Sequence, residues 1–369
     1  MGIRYDRNQR RATNGPVIFF NDSVTNTTLS DQINDAVFTN LSFYAYRYPH
    51  DMLSTFGSSE SIVEGIGQPG FVIAPFLPDS PYFTIPDNNS KRLPLASFRY
   101  SQPVESTTLA EYESEFNAIQ QALSALSNSG KIVASKIVKI KGEINAGAAF
   151  INLCLLYPEA YVFCFGSPDL GCWIGASPEL LLKSEGDGFE TMALAGTRII
   201  ENRDSDWDCK NIEEQAMVSD FIKDTLENFG MDVIYGKTFT KKAGKIEHIC
   251  TPIFGKPTGS FDAKEFEALL KHLSPTPALC GLPKDLALSI ISRNEKFERG
   301  FYGGFCGPYI SQQKFTFNVV LRCASFSQND ICLYAGGGIT FQSNLNDEWQ
   351  ETERKLSTLK SALIFLKKD

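Results

Sequence analysis

The sequence lacks an apolar run long enough to cross a membrane, and it lacks a strongly basic segment. A spanning helix needs roughly 18 or more consecutive apolar residues, and no stretch of this chain approaches that length. Asp and Glu (43 residues) outnumber Lys and Arg (35 residues), which gives a net charge of −8. No basic run is interleaved with aromatic residues. We therefore expect neither a nucleic acid nor an anionic membrane as the main partner.

The cysteines are numerous, but they do not form the pairs that a disulfide framework or a zinc site would need. There are nine, an odd number, and none belongs to a Cys-x-x-Cys pair. This usage favours reduced thiols in a cytosol. Residues 1–15 are polar and charged, unlike a signal peptide or a membrane anchor. The sequence therefore predicts a cytoplasmic protein.

The composition is that of a globular protein with a sizeable core. With 369 residues, of which 43% are hydrophobic and 21% charged, the chain can form one large domain or two ordinary ones. Residues 1–105 combine short apolar runs, such as 17–20 and 71–76, with many Pro, Ser, Asn and Asp residues. That pattern predicts strands and loops with little helix in this part.

After residue 105 the hydrophobic pattern switches between helical and strand periods. The spacing predicts helices over 108–128, 210–223, 263–273, 284–293 and 344–364, and strands over 131–140, 160–165, 172–175, 191–198, 316–323 and 330–335. Thr108 and Glu111 have the spacing of a capping box at the start of the first helix. We expect the 191–198 strand to end at a glycine turn and the glycine-rich segment 335–338 to be a loop.

Two charged residues stand beside apolar strand segments, and each has two interpretations. Lys131 is either a strand-end lysine that faces water or the first residue of a largely apolar strand face. Glu179 follows Pro178 and precedes three leucines. It is either a solvent-facing member of the alternation or a semi-buried acid, whose pKa desolvation would raise toward the range of a proton donor.

Two further charged residues require a partner if they are buried. Glu214 falls on the same helical face as Met217 and Phe221, whereas Glu213 is rotated away from that face. A buried carboxylate among apolar groups is costly without a partner, and a cation or a metal is the natural candidate. Arg322 lies in an apolar run, where it either pairs with a carboxylate in bidentate fashion or sits at an exposed edge.

The last predicted helix, 344–364, combines an apolar stripe with charged residues near its start. The stripe has the 3.6-residue period of a helix packed on a core and consists of Leu356, Leu359, Ala362, Leu363 and Leu366. Beside it, Glu348, Glu351 and Lys355 follow in steps of three and four. Spacing alone favours a solvated face with an i,i+4 ion pair between Glu351 and Lys355.

Six short motifs occur in a fixed order along the chain. They are LAGTR at 194–198, PTPALCG at 275–281, FYGGFCG at 301–307, LRCASF at 321–326, AGGGI at 335–339 and EWQETERKL at 348–356. Together they resemble the chorismate-utilising enzyme family, which includes isochorismate, salicylate, anthranilate and aminodeoxychorismate synthases. The resemblance covers roughly residues 108–366.

Within that family the resemblance implies an isochorismate synthase, which adds water at C2 of chorismate while the C4 hydroxyl leaves. The segment KIVASK at 131–136 is similar to the corresponding segment of the members that use water. Ala278 in the PTPAL motif resembles the residue that isochorismate synthases have at this position. Members that eliminate pyruvate usually carry threonine at that position. The alternatives are a salicylate synthase, an amidotransferase-coupled anthranilate or aminodeoxychorismate synthase, and a non-catalytic chorismate-binding homologue.

The resemblance also implies a role for each candidate site residue. Lys131 would be the general base, and Glu179 the general acid that protonates the leaving hydroxyl. Mg²⁺ would be held by Glu214 and Glu351, with Glu348 as a supporting ligand. The substrate-binding residues would be Gly196, Thr197, Ala278, Arg322, Gly336 and Lys355. On this assignment Glu351 and Lys355 face the ligand rather than each other.

The implied fold is α/β (α+β), with two antiparallel sheets packed in one large domain, helices outside them and the site in the cleft between them. The whole chain, 1–369, would form this chorismate-binding domain, with a variable part over 1–105 and a motif-bearing catalytic part over 106–369. The implied enzyme is a cytoplasmic monomer without a glutamine amidotransferase subunit, and it serves menaquinone or siderophore biosynthesis. Gln215 and Ser274 depart from the family, which commonly has histidine at both positions.

Overall fold

The structure, a computed structural model, describes residues 28–39, 41–87, 105–126, 130–200, 206–244, 246–327 and 329–364. The expectations for 1–15, for the 17–20 run, for a helix end at Asn128 and for Leu366 fall outside these ranges. Within the ranges the helices are α1 (Leu29–Thr39), α2 (Leu109–Ala125), α3 (Ala146–Leu156), α4 (Cys209–Asn228), α5 (Ala263–Leu273), α6 (Lys284–Asn294) and α7 (Leu345–Ala362). None of these described helices is long and apolar enough to span a membrane.

The strands of the described residues form two sheets, and the paired strands in both are antiparallel. In chain order the strands are β1 (Ser42–Arg47), β2 (Thr55–Ser59), β3 (Val63–Glu64), β4 (Gly70–Ala74), β5 (Phe83–Pro86), β6 (Lys131–Lys141), β7 (Tyr161–Ser167), β8 (Gly171–Ser177), β9 (Leu180–Glu185), β10 (Phe189–Ile199), β11 (Met231–Tyr235), β12 (Phe239–Ala243), β13 (Ile246–Pro257), β14 (Gly281–Leu282), β15 (Phe305–Ser311), β16 (Lys314–Val319), β17 (Cys323–Phe326) and β18 (Asp330–Ile339).

The two sheets have different strand orders. The first runs β14-β6-β18-β17-β8-β7-β1-β2, and the second runs β11-β13-β10-β9-β16-β15-β4-β5-β3, with β12 also paired to β13. Two antiparallel sheets with helices are the architecture that the resemblance implies, so the predicted fold class is confirmed.

An aromatic core joins the inner faces of the two sheets. Phe163 and Phe165 of β7 are buried in the same cluster as Phe305 and Phe317 of the second sheet. Phe71 of β4 lies 6.1 Å from Phe165, measured between ring centroids. Burying each side chain of this size contributes roughly 1.5–3 kcal/mol relative to leaving it exposed. These contacts therefore hold the sheets together and fix the cleft between them.

The opposite face of the first sheet is covered by helices. Val162 and Cys164 alternate with the inward-facing phenylalanines of β7, as strand geometry requires. They belong to a second cluster with Leu153 of α3 and with Leu356 and Leu359 of α7. Ala362 and Leu363 are buried there as well, so the described part of the predicted stripe of α7 is confirmed.

The predicted capping box at the start of α2 is present. The Thr108 hydroxyl accepts from the Glu111 backbone N–H at 3.2 Å, and the Glu111 carboxylate accepts from the Thr108 N–H at 2.8 Å. This reciprocal pair is the predicted capping box, and it satisfies two donors that a helix start leaves open.

The expectation of little helix before residue 105 overlooked α1. Leu29, Ile33 and Ala36 recur at intervals of four and three residues and are buried against α3 and the first sheet. This is a helical period, and the turn-forming residues around it masked it.

Three local expectations about the later strands were wrong. Residues 335–338 form the end of β18, where they pair with β6, and are not a loop. The strand predicted over 316–323 ends at Val319, and Arg322 lies between β16 and β17 with φ of 47°. The strand predicted over 191–198 is present within β10, but no turn at Gly196 ends it, because β10 continues to Ile199 with an irregularity between Ala195 and Arg198. β10 and β18 continue through their glycines because they pair with the neighbouring strands β13 and β6.

Candidate active site

A cavity of about 260 Å³ lies where β6 and β18 of the first sheet face β10, α4 and α7. Every site residue predicted from the sequence lines it: Lys131, Glu179, Gly196, Thr197, Glu214, Ala278, Arg322, Gly336, Glu348, Glu351 and Lys355. The fold therefore brings together residues that are more than two hundred positions apart in the chain.

Lys131 is the first residue of β6, and its side chain is buried rather than directed to water. The residue is 4% exposed, and its Nζ lies 2.5 Å from Oε1 of Glu214. The side chain crosses Gly338 of β18, because a Cβ at that position would lie 2.1 Å from Lys131 Cε. Gly338, which pairs with Val133 of β6, thus leaves room for the lysine to reach across the cavity, and the water-facing interpretation was wrong.

Glu214 occupies the second turn of α4, whose start is capped by Asp208. Its side chain is 19% exposed, whereas Glu213 is exposed, as the helical period predicted. The partner that a carboxylate in this position needs is the ammonium group of Lys131. The predicted cation is therefore a side chain of the same protein.

Glu179 follows the end of β8 and is 4% exposed, so it is the semi-buried acid of the two interpretations. Burial raises the pKa of this carboxyl from its usual 4.5 to about 7, although the nearby positive charges of Lys131 and Lys241 oppose the increase. An acid with such a pKa is partly protonated near neutral pH. Glu179 can therefore donate a proton to a group bound in the cavity.

Arg322 is partly buried, so the exposed-edge interpretation was wrong, and the bidentate pairing with a carboxylate stays a prediction. Among the described residues it donates from Nη1 to the Ala243 carbonyl at 3.2 Å, and its Nη2 lies 2.9 Å from His248 Nε2. These partners are neutral groups and not a carboxylate. The guanidinium is thereby oriented without its charge being neutralised by them, which suits a group that binds an anionic ligand.

Two residues that line the cavity, His248 and Asn211, were not predicted. Burial, together with the charge of Arg322, lowers the pKa of His248 to about 3, so its ring is neutral. Asn211 accepts from the Thr197 N–H at 3.0 Å and packs against Gly196, whose φ is +69°. His248 is one of three histidines and lies in a strand-like run, which was an available signal. Asn211 carried no such signal.

The acidic part of α7 is organised by hydrogen bonds and by an ion pair. Lys355 Nζ lies 2.8 Å from Glu351 Oε1 and donates to the Gly336 carbonyl at 2.8 Å. Glu348 is buried and accepts from the Ser343 hydroxyl at 2.7 Å. Glu351 and Lys355 therefore pair with each other, as the spacing alone predicted, while both also line the cavity.

The carboxylates of the cavity are of the kind that Mg²⁺ prefers. Glu214, Glu348 and Glu351 all line it, although no three acidic, His or Cys side chains among the described residues are grouped closely enough to form a complete metal cage. Mg²⁺ usually takes one or two protein carboxylates and completes its shell with water and substrate oxygens. The donor set therefore fits this ion, without a dedicated cage.

The thiols take no part in this site. All nine cysteines lie in the described part of the chain and are free, and eight of them are buried. Burial raises the pKa of Cys164 and of the other buried thiols. They behave as small core residues.

Comparison with known proteins points to one family. Residues 87–364 match the family described as chorismate binding enzyme. The chain is 30% identical over 256 residues to the isochorismate synthase EntC of Escherichia coli (strain K12), a match that covers 64% of this chain and 63% of that protein. It is 33% identical over 232 residues to the isochorismate synthase MenF of the same strain, covering 60% of this chain and 52% of MenF. Each match thus spans less than two thirds of the relative's length.

The fold is shared with solved structures. The structure of MenF, the menaquinone-specific isochorismate synthase from Escherichia coli, superimposes with a TM-score of 0.74. The superposition covers 90% of this chain and 91% of that one, at 21% sequence identity. The similarity therefore extends over both sheets as well as over the motifs.

Proposed function

The chain belongs to the chorismate binding enzyme family, and on that premise we propose that it is an isochorismate synthase. The observation that carries the proposal is the meeting of Lys131 and Glu179 in one cavity with two further cationic side chains, Arg322 and Lys355. A base, an acid and anion-binding groups are what the addition of water and the loss of a hydroxyl from a dicarboxylate require.

Lys131 would act as the general base. In its neutral form the amine would take a proton from a water molecule as the water oxygen bonds to C2 of the chorismate ring. The position of the lysine is defined by β6 and by the crossing over Gly338. Because the reaction needs such a base, the presence of Lys131 supports water rather than ammonia as the nucleophile, and no glutamine amidotransferase subunit is expected.

Glu179 would act as the general acid. As the double bond migrates and the C4–oxygen bond breaks, its carboxyl would protonate the departing oxygen, which then leaves as water. The pKa of about 7 keeps a useful fraction of this carboxyl protonated near neutrality. In the reverse direction the same two residues would exchange roles, so the proposed reaction is a reversible isomerisation.

The two carboxylates of chorismate would be held by different groups. Arg322 and Lys355 would bind them, while Gly196, Gly336 and the backbone at Thr197 would allow the substrate to approach the main chain closely. Ala278 lines the same cavity. Its small side chain supports isomerisation rather than pyruvate elimination, for which related enzymes carry threonine there.

Glu214 and Glu351 would hold Mg²⁺, with Glu348 in support. When bound, Mg²⁺ would neutralise the ring carboxylate and orient it toward the acid and the base. The assignment is supported by the positions of Glu214 and Glu351, which both line the cavity and each lie beside a lysine.

The test is one reaction mixture of purified protein, chorismate and Mg²⁺, separated by chromatography. We expect isochorismate without pyruvate or anthranilate, and formation of isochorismate slowed by about 10²-fold or more in the Glu179→Gln variant. Stoichiometric pyruvate would identify a salicylate synthase instead. Unchanged chorismate that nevertheless binds to the protein would identify a non-catalytic homologue. Ammonium-dependent anthranilate or aminodeoxychorismate would identify an ammonia-using synthase.

A further inference from the structure

The ion pair between Lys131 and Glu214 joins two residues that the proposed function gives to different tasks. Lys131 Nζ lies 2.5 Å from Glu214 Oε1, and their side chains are 6% and 19% exposed. Such a short, enclosed contact is stronger than a surface ion pair. The same carboxylate is the one proposed to hold the metal ion.

The pair depends on a specific backbone arrangement. Lys131 lies on β6, whose register with β14 places it opposite Leu282. Its stem passes over Gly338, where even one methyl group would collide with Cε. Glu214 approaches from α4, a twenty-residue helix packed against β10. Because both backbones are held by regular structure, the contact can be broken by rotation of the two side chains alone.

We propose that the Lys131 ammonium occupies the cation position of Glu214, so that this ion pair and a divalent cation on Glu214 exclude each other. The inference rests on the proposed function, because it takes Glu214 as a metal ligand. One carboxylate oxygen cannot accept the ammonium at 2.5 Å and coordinate a metal ion in the same direction, and the two cations also repel each other. Transfer of Glu214 to the metal therefore releases Lys131 from α4.

The consequence for the proposed reaction is an ordered assembly of the site. While Glu214 holds it, the nitrogen of Lys131 is directed at α4 and not at a water molecule beside the substrate. Once Glu214 turns to the metal, the lysine is free to rotate toward the ring. Binding of the cation and placement of the base are thus coupled through a single carboxylate.

The direct test measures Mg²⁺ affinity by isothermal titration calorimetry, without substrate, in the wild type and three variants. Lys131→Met keeps the length and apolar character of the stem but removes the competing charge, so we expect Mg²⁺ binding at least about fivefold tighter than in the wild type. Glu214→Gln should weaken binding. Lys183→Met, which removes the same charge from an exposed pair with Glu185, should leave the affinity unchanged.

The possible outcomes separate this inference from the function on which it rests. Equal affinity in the wild type and Lys131→Met overturns the inference alone. If no variant binds Mg²⁺, with or without chorismate, the assignment of Glu214 as a metal ligand fails, and this inference fails with it. The product analysis described above remains an independent test of the activity.

A second measurement uses the wild-type protein and does not depend on the folding of a variant. The protein is labelled with a small amine-reactive reagent, with and without Mg²⁺, and the lysines are quantified by mass spectrometry. We expect Mg²⁺ to increase the labelling of Lys131 relative to Lys183. Labelling of Lys131 that is unchanged or reduced would overturn the proposal.

Discussion

Arg322 Nη2 lies 2.9 Å from His248 Nε2. This contact determines the tautomer of the histidine and orients the guanidinium. A guanidinium can only donate, so Nε2 of the histidine must be the acceptor and its proton must lie on Nδ1. Nδ1 is 2.8 Å from the Gly196 carbonyl oxygen, which accepts a hydrogen bond from the Nδ1–H group. The hydrogen bonds from Gly196 through His248 to Arg322 therefore orient the guanidinium by way of a neutral imidazole.

Removal of this acceptor should weaken substrate binding more than chemistry. In His248→Phe the ring volume remains, but Arg322 loses a hydrogen bond of about 1.5 kcal/mol, so we expect KM for chorismate to rise about tenfold. The turnover number kcat should change much less. Steady-state kinetics with His248→Gln, whose amide oxygen can accept from Arg322, provides the comparison. A large loss of kcat with unchanged KM would contradict the assigned role of His248.

The pH dependence of the activity should reflect the protonation of Glu179, the proposed general acid. Because the carboxyl of Glu179 must be protonated to act, and burial raises its pKa to about 7, kcat/KM for chorismate should decline above about pH 7. Glu179→Gln should lower kcat by about 10²-fold or more, which is the usual contribution of a general acid. An activity that continued to rise toward pH 9 would exclude Glu179 from this role.

Burial of the Glu179 carboxyl should also lower the free energy of unfolding, by an amount that depends on pH. A carboxyl with a pKa of 4.5 when unfolded and about 7 when folded binds more protons in the folded state. The free energy of unfolding therefore falls as pH rises between these values, by on the order of 3 kcal/mol. The Glu179→Gln variant has no carboxyl at this position, so its free energy of unfolding does not fall in this way. It should be more stable than the wild type at pH 8 but not at pH 4. Denaturant titrations at both pH values measure the difference, and a variant destabilised at pH 8 would refute it.

Loss of the proposed base should separate binding from turnover. Lys131→Ala is expected to abolish conversion of chorismate while leaving Mg²⁺-dependent chorismate binding largely intact, because Arg322 and Lys355 are retained. Product analysis and equilibrium binding measure the two properties on the same preparation. Turnover at the wild-type rate in this variant would remove Lys131 from the base role.

The glycines of β18 offer a matched pair of substitutions. A Cβ at Gly338 would lie 2.1 Å from Lys131 Cε, whereas one at Gly337 would lie 3.0 Å from Glu348 Oε2. We therefore expect Gly338→Ala to displace the base and to reduce kcat by at least about 10²-fold. Gly337→Ala should retain more activity, because its nearest contact is with the end of a side chain. Far-ultraviolet circular dichroism should show native secondary structure in both variants, and similar activities in the two would argue against the positioning role of Gly338.

Local sequence signals were sufficient to locate most helices and the residues that line the cavity. Capping residues located the start of α2, and hydrophobic period located α5, α6 and the buried stripe of α7. The order of the motifs led to the family and to the residues that line the cavity. These features depend on neighbouring residues or on residue identity, both of which can be read along the chain.

Contacts between distant segments were decided by the tertiary structure. Lys131 meets Glu214 across 83 residues, and Arg322 meets His248 across 74. A strand or helix period shows which side of its own element a residue occupies, but it does not show which element lies opposite. For that reason the burial of Lys131 and Glu179, the neutral partners of Arg322 and the continuation of β18 through its glycines became evident only when the two sheets had been packed together.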